Sequence, residues 1–85
     1  MNTEVVEVLR GLVSDSILDL VKNDFDEIAD TDVLELGVDS IAIMEIVIRI
    51  EEICKTTIDY EKFEIDDIKT PSKIKRLISK IKNLE

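Results

Sequence analysis

The stretch Leu36-Gly37-Val38-Asp39-Ser40-Ile41-Ala42-Ile43-Met44-Glu45-Ile46-Val47-Ile48-Arg49-Ile50-Glu51-Glu52-Ile53-Cys54 decides how the chain folds. It passes from a glycine and a short polar pair into the most apolar segment of the sequence. Wound at about 100° per residue, positions 40–54 separate into two faces. Ile43, Ile46, Val47, Ile50, Ile53 and Cys54 gather on one side as a core stripe. Ile41, Met44 and Ile48 lie opposite at i, i+3 and i+7, with Glu45, Glu51 and Glu52 around them. That second face has two readings. A central helix covered on both sides would bury three apolar residues and leave three glutamates in need of partners. A protein-binding patch, with an apolar centre and a charged rim, accounts for both sets. Periodicity alone leaves the two open.

Ser40 stands where the chain turns from loop to helix. The ordinary job of serine there is to cap the helix with its hydroxyl. The other reading is an attachment point, because a phosphate esterified at that oxygen would meet the free N–H groups and the positive end of the helix. Gly37 leaves room for another protein to approach. The chain contains no histidine, so Ser40 has no conventional base and is not a triad nucleophile. Modification by a second enzyme needs no internal base.

Working outward, Val5, Leu9, Leu12, Val13, Ser16 and Leu20 fall at helical spacing and predict a first helix beginning after Thr3. Gly11 costs that helix about 1 kcal/mol relative to alanine. From Lys22 to Glu35 the pattern dissolves into Asn, Asp, Thr and Glu, an acidic loop pinned by Phe25, Ile28 and Val33. A short helix is expected near Tyr60–Ile65. The last helix is the most clearly punctuated: Thr70 suits the N-cap, Pro71 the first helical position, and Ile74, Leu77, Ile78 and Ile81 form one stripe. No alternating strand pattern competes. The expected fold is all-α, a small four-helix bundle with a long first loop, and residues 1–85 read as one domain.

Composition narrows the function classes. Apolar residues make up 45% of the 85, enough for a core, while aromatics are only 4% with no tryptophan, which argues against base- or sugar-stacking platforms. A net charge of −9 makes nucleic acid an unsuitable partner. Residues 1–68 hold 19 acidic against 5 basic side chains, whereas residues 69–85 hold 1 against 6. An acidic body with a basic last helix favours partners with basic surfaces, met in fast, salt-sensitive encounters. A single cysteine permits no internal disulfide, and no apolar run approaches the roughly 20 residues of a membrane span. With no export pattern at the N-terminus, the expectation is a cytoplasmic monomer.

Three further features weigh less. Asp24, Asp26, Asp30, Asp32 and Glu35 occupy positions of a twelve-residue calcium loop, but Ile28 and Ala29 stand where a ligand and the turn glycine belong. The calcium-loop reading fails, and no metal site is expected. Cys54 lies on the core side of its helix, where packing is its natural role. The lysine-rich final helix reads first as a solvated face.

Taken as a set, Asp30-Thr31-Asp32-Val33-Leu34-Glu35-Leu36-Gly37-Val38-Asp39-Ser40-Ile41 closely resembles the attachment motif of acyl and peptidyl carrier proteins. The likeness continues through Glu45, Glu51, Glu52 and Ile58 to Thr70-Pro71 and Ile74, and covers nearly the whole chain. It implies a four-helix carrier without catalytic residues of its own. A phosphopantetheinyl transferase would move a 4′-phosphopantetheine arm from coenzyme A onto Ser40. An acyl-loading ligase or transferase would charge the arm's thiol as a thioester, and condensing or other biosynthetic enzymes with basic docking surfaces would use it. In the family the helix after the serine is the recognition helix, which here corresponds to Asp39, Ile41, Met44, Glu45, Ile48, Glu51 and Glu52.

The chain departs from the pattern in places. Ala42 stands where primary fatty-acid carriers usually have an acidic residue, Cys54 where they usually have an aromatic, and the last helix is more basic. Asp39 occupies the position where peptidyl carriers often place histidine. These departures favour a free-standing carrier of a specialised acyl, polyketide or hybrid peptide pathway over housekeeping fatty-acid synthesis. An aminoacyl carrier remains an alternative. So does a reading from another class, a helical adaptor that docks through Ile41, Met44 and Ile48 and bears no prosthetic group.

Overall fold

The computed structural model describes residues 3–83, and among them it is all-helical without a strand. In chain order the elements are α1 (Thr3–Leu9), α2 (Asp15–Asn23), α3 (Phe25–Ile28), α4 (Ala42–Cys54), a 3₁₀ turn (Ile65–Ile68) and α5 (Pro71–Asn83). Helices α1, α4 and α5 pack against one another around the core, α2 lies along α1, and the 3₁₀ turn lies against α5.

The core is aliphatic apart from one thiol. Leu9, Ile46, Ile50, Ile68, Ile74, Val33 and Val47 are all inaccessible to solvent, and no described polar or charged residue is buried. Cys54 is buried at 3% exposure, in keeping with a packing role. Cutting Ile46, Ile50 or Ile74 back to alanine would cost about 2–5 kcal/mol, since each would leave a cavity at the centre of the bundle.

The first helix is not continuous. Gly11 adopts φ +81°, which an α-helix cannot accommodate, and α1 stops at Leu9. The chain then restarts at Ser14, whose Oγ accepts the Ile17 N–H at 3.3 Å as the N-cap of α2. The break shifts the helical phase. Val5 and Leu9 are buried as the spacing predicts, but after the restart Leu18 and Val21 turn inward and Ser16 is exposed. Arg49 of α4 closes the interruption: its Nη1 donates to the carbonyls of Val8 at 3.0 Å and Arg10 at 2.5 Å. It thereby satisfies acceptors at the end of α1 that the helix leaves open.

The acidic connection after α2 is anchored as expected, with Ile28 and Val33 buried and Phe25 packed against the core. Lys75 of α5 sits 5.0 Å from the centroid of the Phe25 ring. The connection contains one helical turn, α3, which its dense polar composition obscures. It is also stitched to the start of α5: the Val33 N–H donates to the Lys69 carbonyl at 2.8 Å, and the Ser72 N–H to the Ala29 carbonyl at 2.9 Å. These bonds fix the approach to Gly37 and Ser40.

The helix expected at Tyr60–Ile65 forms elsewhere. Asp59 ties up residues 61–63 in a turn, its carboxylate accepting the Glu61 N–H and its carbonyl those of Lys62 and Phe63. The 3₁₀ turn follows at Ile65–Ile68, opened by reciprocal bonds between Glu64 and Asp67. The last helix matches its punctuation, with Thr70 Oγ1 accepting the Lys73 N–H at 3.2 Å and Pro71 buried at the first position. No helix of the described residues is long and apolar enough to cross a membrane.

Candidate functional site

Residues 32–38 build the approach to Ser40. Asp32 Oδ1 accepts the Leu34 N–H at 2.9 Å, starting a helical turn that ends at Gly37. There the Val38 N–H returns to the Val33 carbonyl at 3.0 Å and the Gly37 N–H to the Leu34 carbonyl at 3.3 Å. This six-to-one and five-to-two pair is a Schellman closure, with Gly37 as its left-handed residue at φ +113°. Val33 and Val38, the residues joined by the longer loop, are both buried beneath it. A Cβ at Gly37 would meet no atom within 4 Å. The glycine is therefore required by its backbone angle rather than by crowding within the chain.

From this anchored turn the chain rises to the surface at Asp39 and Ser40, both exposed. Helix α4 begins at Ala42, two residues later than the periodicity suggests, and the cap is supplied by Asp39. Its Oδ1 accepts the Ala42 N–H at 2.7 Å. The capping role that serine usually takes at such a position is thus filled by its neighbour, and the Ser40 hydroxyl has no hydrogen bond among the described residues. Nor do the N–H groups of Asp39, Ser40 and Ile41 find acceptors among those residues. An exposed hydroxyl beside unpaired donors, at the start of a 13-residue helix, suits a covalently attached phosphate.

The outer face of α4 is open to solvent. Ile41 is 86% exposed, Met44 47% and Ile48 42%. A helix covered on both sides is therefore excluded: the core stripe Ile43, Ile46, Val47 and Ile50 is buried, and the opposite stripe is not. Leu34, on the turn before Ser40, adds a further exposed apolar side chain that carried no periodic signal.

The three glutamates around this face differ in kind. Glu45 pairs with Arg49, Oε1 to Nε at 3.2 Å, and Arg49 in turn holds the end of α1. Glu51 is engaged within the chain, its carboxylate accepting the Ile58 N–H at 2.9 Å and facing the Tyr60 hydroxyl at 3.4 Å. Partial burial of the Tyr60 ring and the adjacent Glu51 carboxylate raise the phenol above its ordinary value. Glu52 is exposed, and its carboxylate has no partner among the described residues. Glu45 and Arg49 stand four apart on α4, the spacing at which helix side chains meet. The return of residues 58–60 onto Glu51 was not legible.

A cleft of about 370 Å³ opens at the other end of α4, lined by Thr56, Ile58, Lys62, Phe63, Leu77 and Ile81. The length of α4 places it roughly 20 Å from the start of that helix. The described residues contain no cluster of three or more side chains suited to a metal ion.

Residues 7–78 match the family model described as a phosphopantetheine attachment site. No curated protein and no solved structure matches the chain.

Proposed function

The chain belongs to the phosphopantetheine-attachment family, the acyl and peptidyl carriers whose prosthetic group is a covalently bound 4′-phosphopantetheine, and we propose that Ser40 is the residue that bears it here. One observation carries this assignment: Asp39 caps α4, leaving the Ser40 hydroxyl exposed and uncommitted. The arm supplies a terminal thiol on which an acyl group rides as a thioester. The chain's own residues hold the serine at the surface, offer N–H groups to the phosphodiester and present a docking face beside it. The chain has no histidine to serve Ser40 as a conventional base, and the proposed carrier is loaded and unloaded by other proteins.

The docking face comprises Asp39, Ile41, Met44, Glu45, Ile48, Glu51 and Glu52. Its partners are a phosphopantetheinyl transferase, an acyl-loading ligase or transferase, and condensing or related enzymes with basic surfaces. Exposed apolar side chains between carboxylates support this reading. Ala42, Cys54, Asp39 and the basic α5 support a specialised acyl, polyketide or hybrid peptide pathway, and the proposed location is the cytoplasm.

Intact-mass measurement after incubation with coenzyme A and a phosphopantetheinyl transferase tests the assignment. The wild-type chain gains one phosphopantetheine increment and Ser40→Ala gains none. An increment on the mutant would move the site elsewhere. No increment on the wild type, from any transferase tried or from the native host, would favour the adaptor.

A further inference from the structure

We propose that the cleft between the segment after α4 and helix α5 docks an acidic peptide segment of a partner protein. The segment seats a large apolar side chain on Ile58, Phe63, Leu77 and Ile81 and sets its carboxylates against Lys62 and Lys80. The site goes beyond the attachment and docking readings above. It lies at the far end of α4 from Ser40, uses no residue of the α4 face and calls for a partner of opposite charge.

The floor of the cleft is apolar and continuous with the core. Ile58 is buried, Phe63, Leu77 and Ile81 pack part-buried against the core, and the Tyr60 ring meets that of Phe63 edge-on at 6.4 Å between centroids. A volume of about 370 Å³ is at the small end of ligand sites and suits one anchoring side chain. The rim sets the sign. On α5, Lys73 pairs with Asp66, Lys82 with Glu4, and Lys75 lies over the Phe25 ring. Lys80 and, on the facing segment, Lys62 are exposed, and their ammonium groups have no partner among the described residues. Arg76, equally uncommitted, borders an adjoining depression that shares Leu77 and Lys80. The Asp59 carboxylate, also on the rim, is drawn into its own turn by the Glu61 N–H at 3.0 Å. Residues 1–68 hold 19 acidic against 5 basic side chains, so an acidic segment is repelled by most of this surface and meets its counter-charge at the α5 end. Lys62, Arg76 and Lys80 fall short of the roughly four to eight cations that hold a protein at an anionic bilayer, and the net charge of −9 opposes that approach, which favours a peptide over a membrane.

Titration of the isotope-labelled chain with a synthetic peptide, Trp-Leu between two runs of glutamate, tests this by NMR shifts. The chain has no tryptophan, so the peptide's indole fluorescence also reads binding directly. Saturable binding that weakens with salt is expected, with shifts at residues 56–63 and 77–81 and none at Ile41 or Met44. Lys62→Glu with Lys80→Glu should weaken binding about tenfold at low salt, and Lys62→Arg with Lys80→Arg should retain it. Arg10→Glu with Lys22→Glu, the same change of net charge elsewhere on the surface, should stay within about twofold of wild type. A peptide with Gly-Ser in place of Trp-Leu should bind several-fold more weakly. Reversing Lys62 and Lys80 should leave the rate of phosphopantetheine transfer onto Ser40 unchanged. Met44→Asp should slow that transfer and leave peptide binding intact, so each reading can fail without the other. No binding by the wild type, shifts centred on α4, or an equal loss in the Arg10 and Lys22 variant would overturn the proposal. Decanoate shifting the cleft resonances where the peptide does not would make this a site for a free amphiphilic anion. Co-sedimentation with phosphatidylglycerol vesicles, lost on reversing Lys62 and Lys80 and without peptide binding, would make it a membrane contact. Either result also overturns it.

Discussion

The carboxylate of Asp39 accepts the backbone N–H of Ala42 at 2.7 Å, and that bond relieves Ser40 of the capping role its position invites. A serine that capped its own helix would hold its hydroxyl against the backbone. Here the residue before it does so, and the hydroxyl faces solvent.

The division of labour predicts separable phenotypes. Ser40→Ala should change stability by no more than about 0.5 kcal/mol, as an exposed side chain without a bond does, while abolishing attachment. Asp39→Ala should cost about 1 kcal/mol through the lost cap and slow attachment as the start of α4 frays. Asp39→Asn, which keeps an acceptor oxygen, should restore most of the stability. Denaturant melts with intact-mass time courses would report both effects. A Ser40→Ala chain that unfolds as readily as Asp39→Ala would show that the hydroxyl has a structural bond after all.

Much of this architecture could be read from the sequence because local signals agreed with the tertiary structure. Thr70-Pro71 and the stripe Ile74, Leu77, Ile78 and Ile81 specify α5 by cap, first residue and period together, and α4 declared its buried face by spacing. The first helix failed because Leu12, Val13 and Leu20 continue the stripe of α1 arithmetically across Gly11. Only the positive φ of Gly11 and the cap at Ser14 reveal the break, and in the sequence Gly11 alone reads as a cost of about 1 kcal/mol to a continuous helix. At the site, Ser40 and the outer stripe were legible. The commitment of Glu51 depends on Ile58 and Tyr60, and the anchoring of Arg49, the partner of Glu45, depends on Val8 and Arg10; these lie on other segments and leave no mark on the period of α4.

Two left-handed residues close the turns on either side of α4, and they should respond oppositely to substitution. Gly37 is at φ +113°, so Gly37→Ala should destabilise by more than about 1 kcal/mol through torsional strain alone. Lys55 ends α4 at φ 53°, with the Thr56 N–H returning to the Glu51 carbonyl at 3.1 Å. A lysine there carries strain that glycine would not, so Lys55→Gly should be neutral or stabilising by up to about 1 kcal/mol. Equilibrium urea unfolding of the two variants gives the signs. A stabilised Gly37→Ala would mean the turn has another conformation.

Two groups should contribute to the pH dependence of stability. The Lys73 hydrogen bond, and then its charge, hold the Asp66 carboxyl below the usual range. A lowered folded pKa stabilises above the unfolded carboxylate value, and that contribution disappears as pH falls through the folded value. Tyr60 is raised above 10.0, so its contribution is present below that pH and is lost as pH rises through the folded value. Asp66→Asn should therefore flatten the acid limb of a stability–pH curve and Tyr60→Phe the alkaline limb, each leaving the other limb unchanged. Parallel urea titrations across pH would show this, and an acid limb unaltered in Asp66→Asn would discount the pair.

Charge density should govern how the whole domain responds to ions. The 19 acidic side chains of residues 1–68 face only 5 basic ones, and Asp24, Asp26, Asp30 and Asp32 share one short connection. Self-repulsion of this kind opposes the compact state at low ionic strength. Helix α5 offsets part of it where it docks, through the Asp66–Lys73 pair at 2.8 Å and the Glu4–Lys82 pair. Glu45–Arg49 is the third ion pair among the described residues, so most of the carboxylates depend on solvent ions for screening. Added monovalent salt should raise the melting temperature, because screening weakens the many unpaired repulsions more than it weakens a few exposed pairs. Millimolar calcium or magnesium should raise it further by loose association with the connection rather than at a defined site. Asp24→Asn with Asp26→Asn should raise the melting temperature in low salt and reduce the gain from divalent ions. Melts that ignore both monovalent and divalent ions would show that α5 already balances the acidic body, and the repulsion argument would fall.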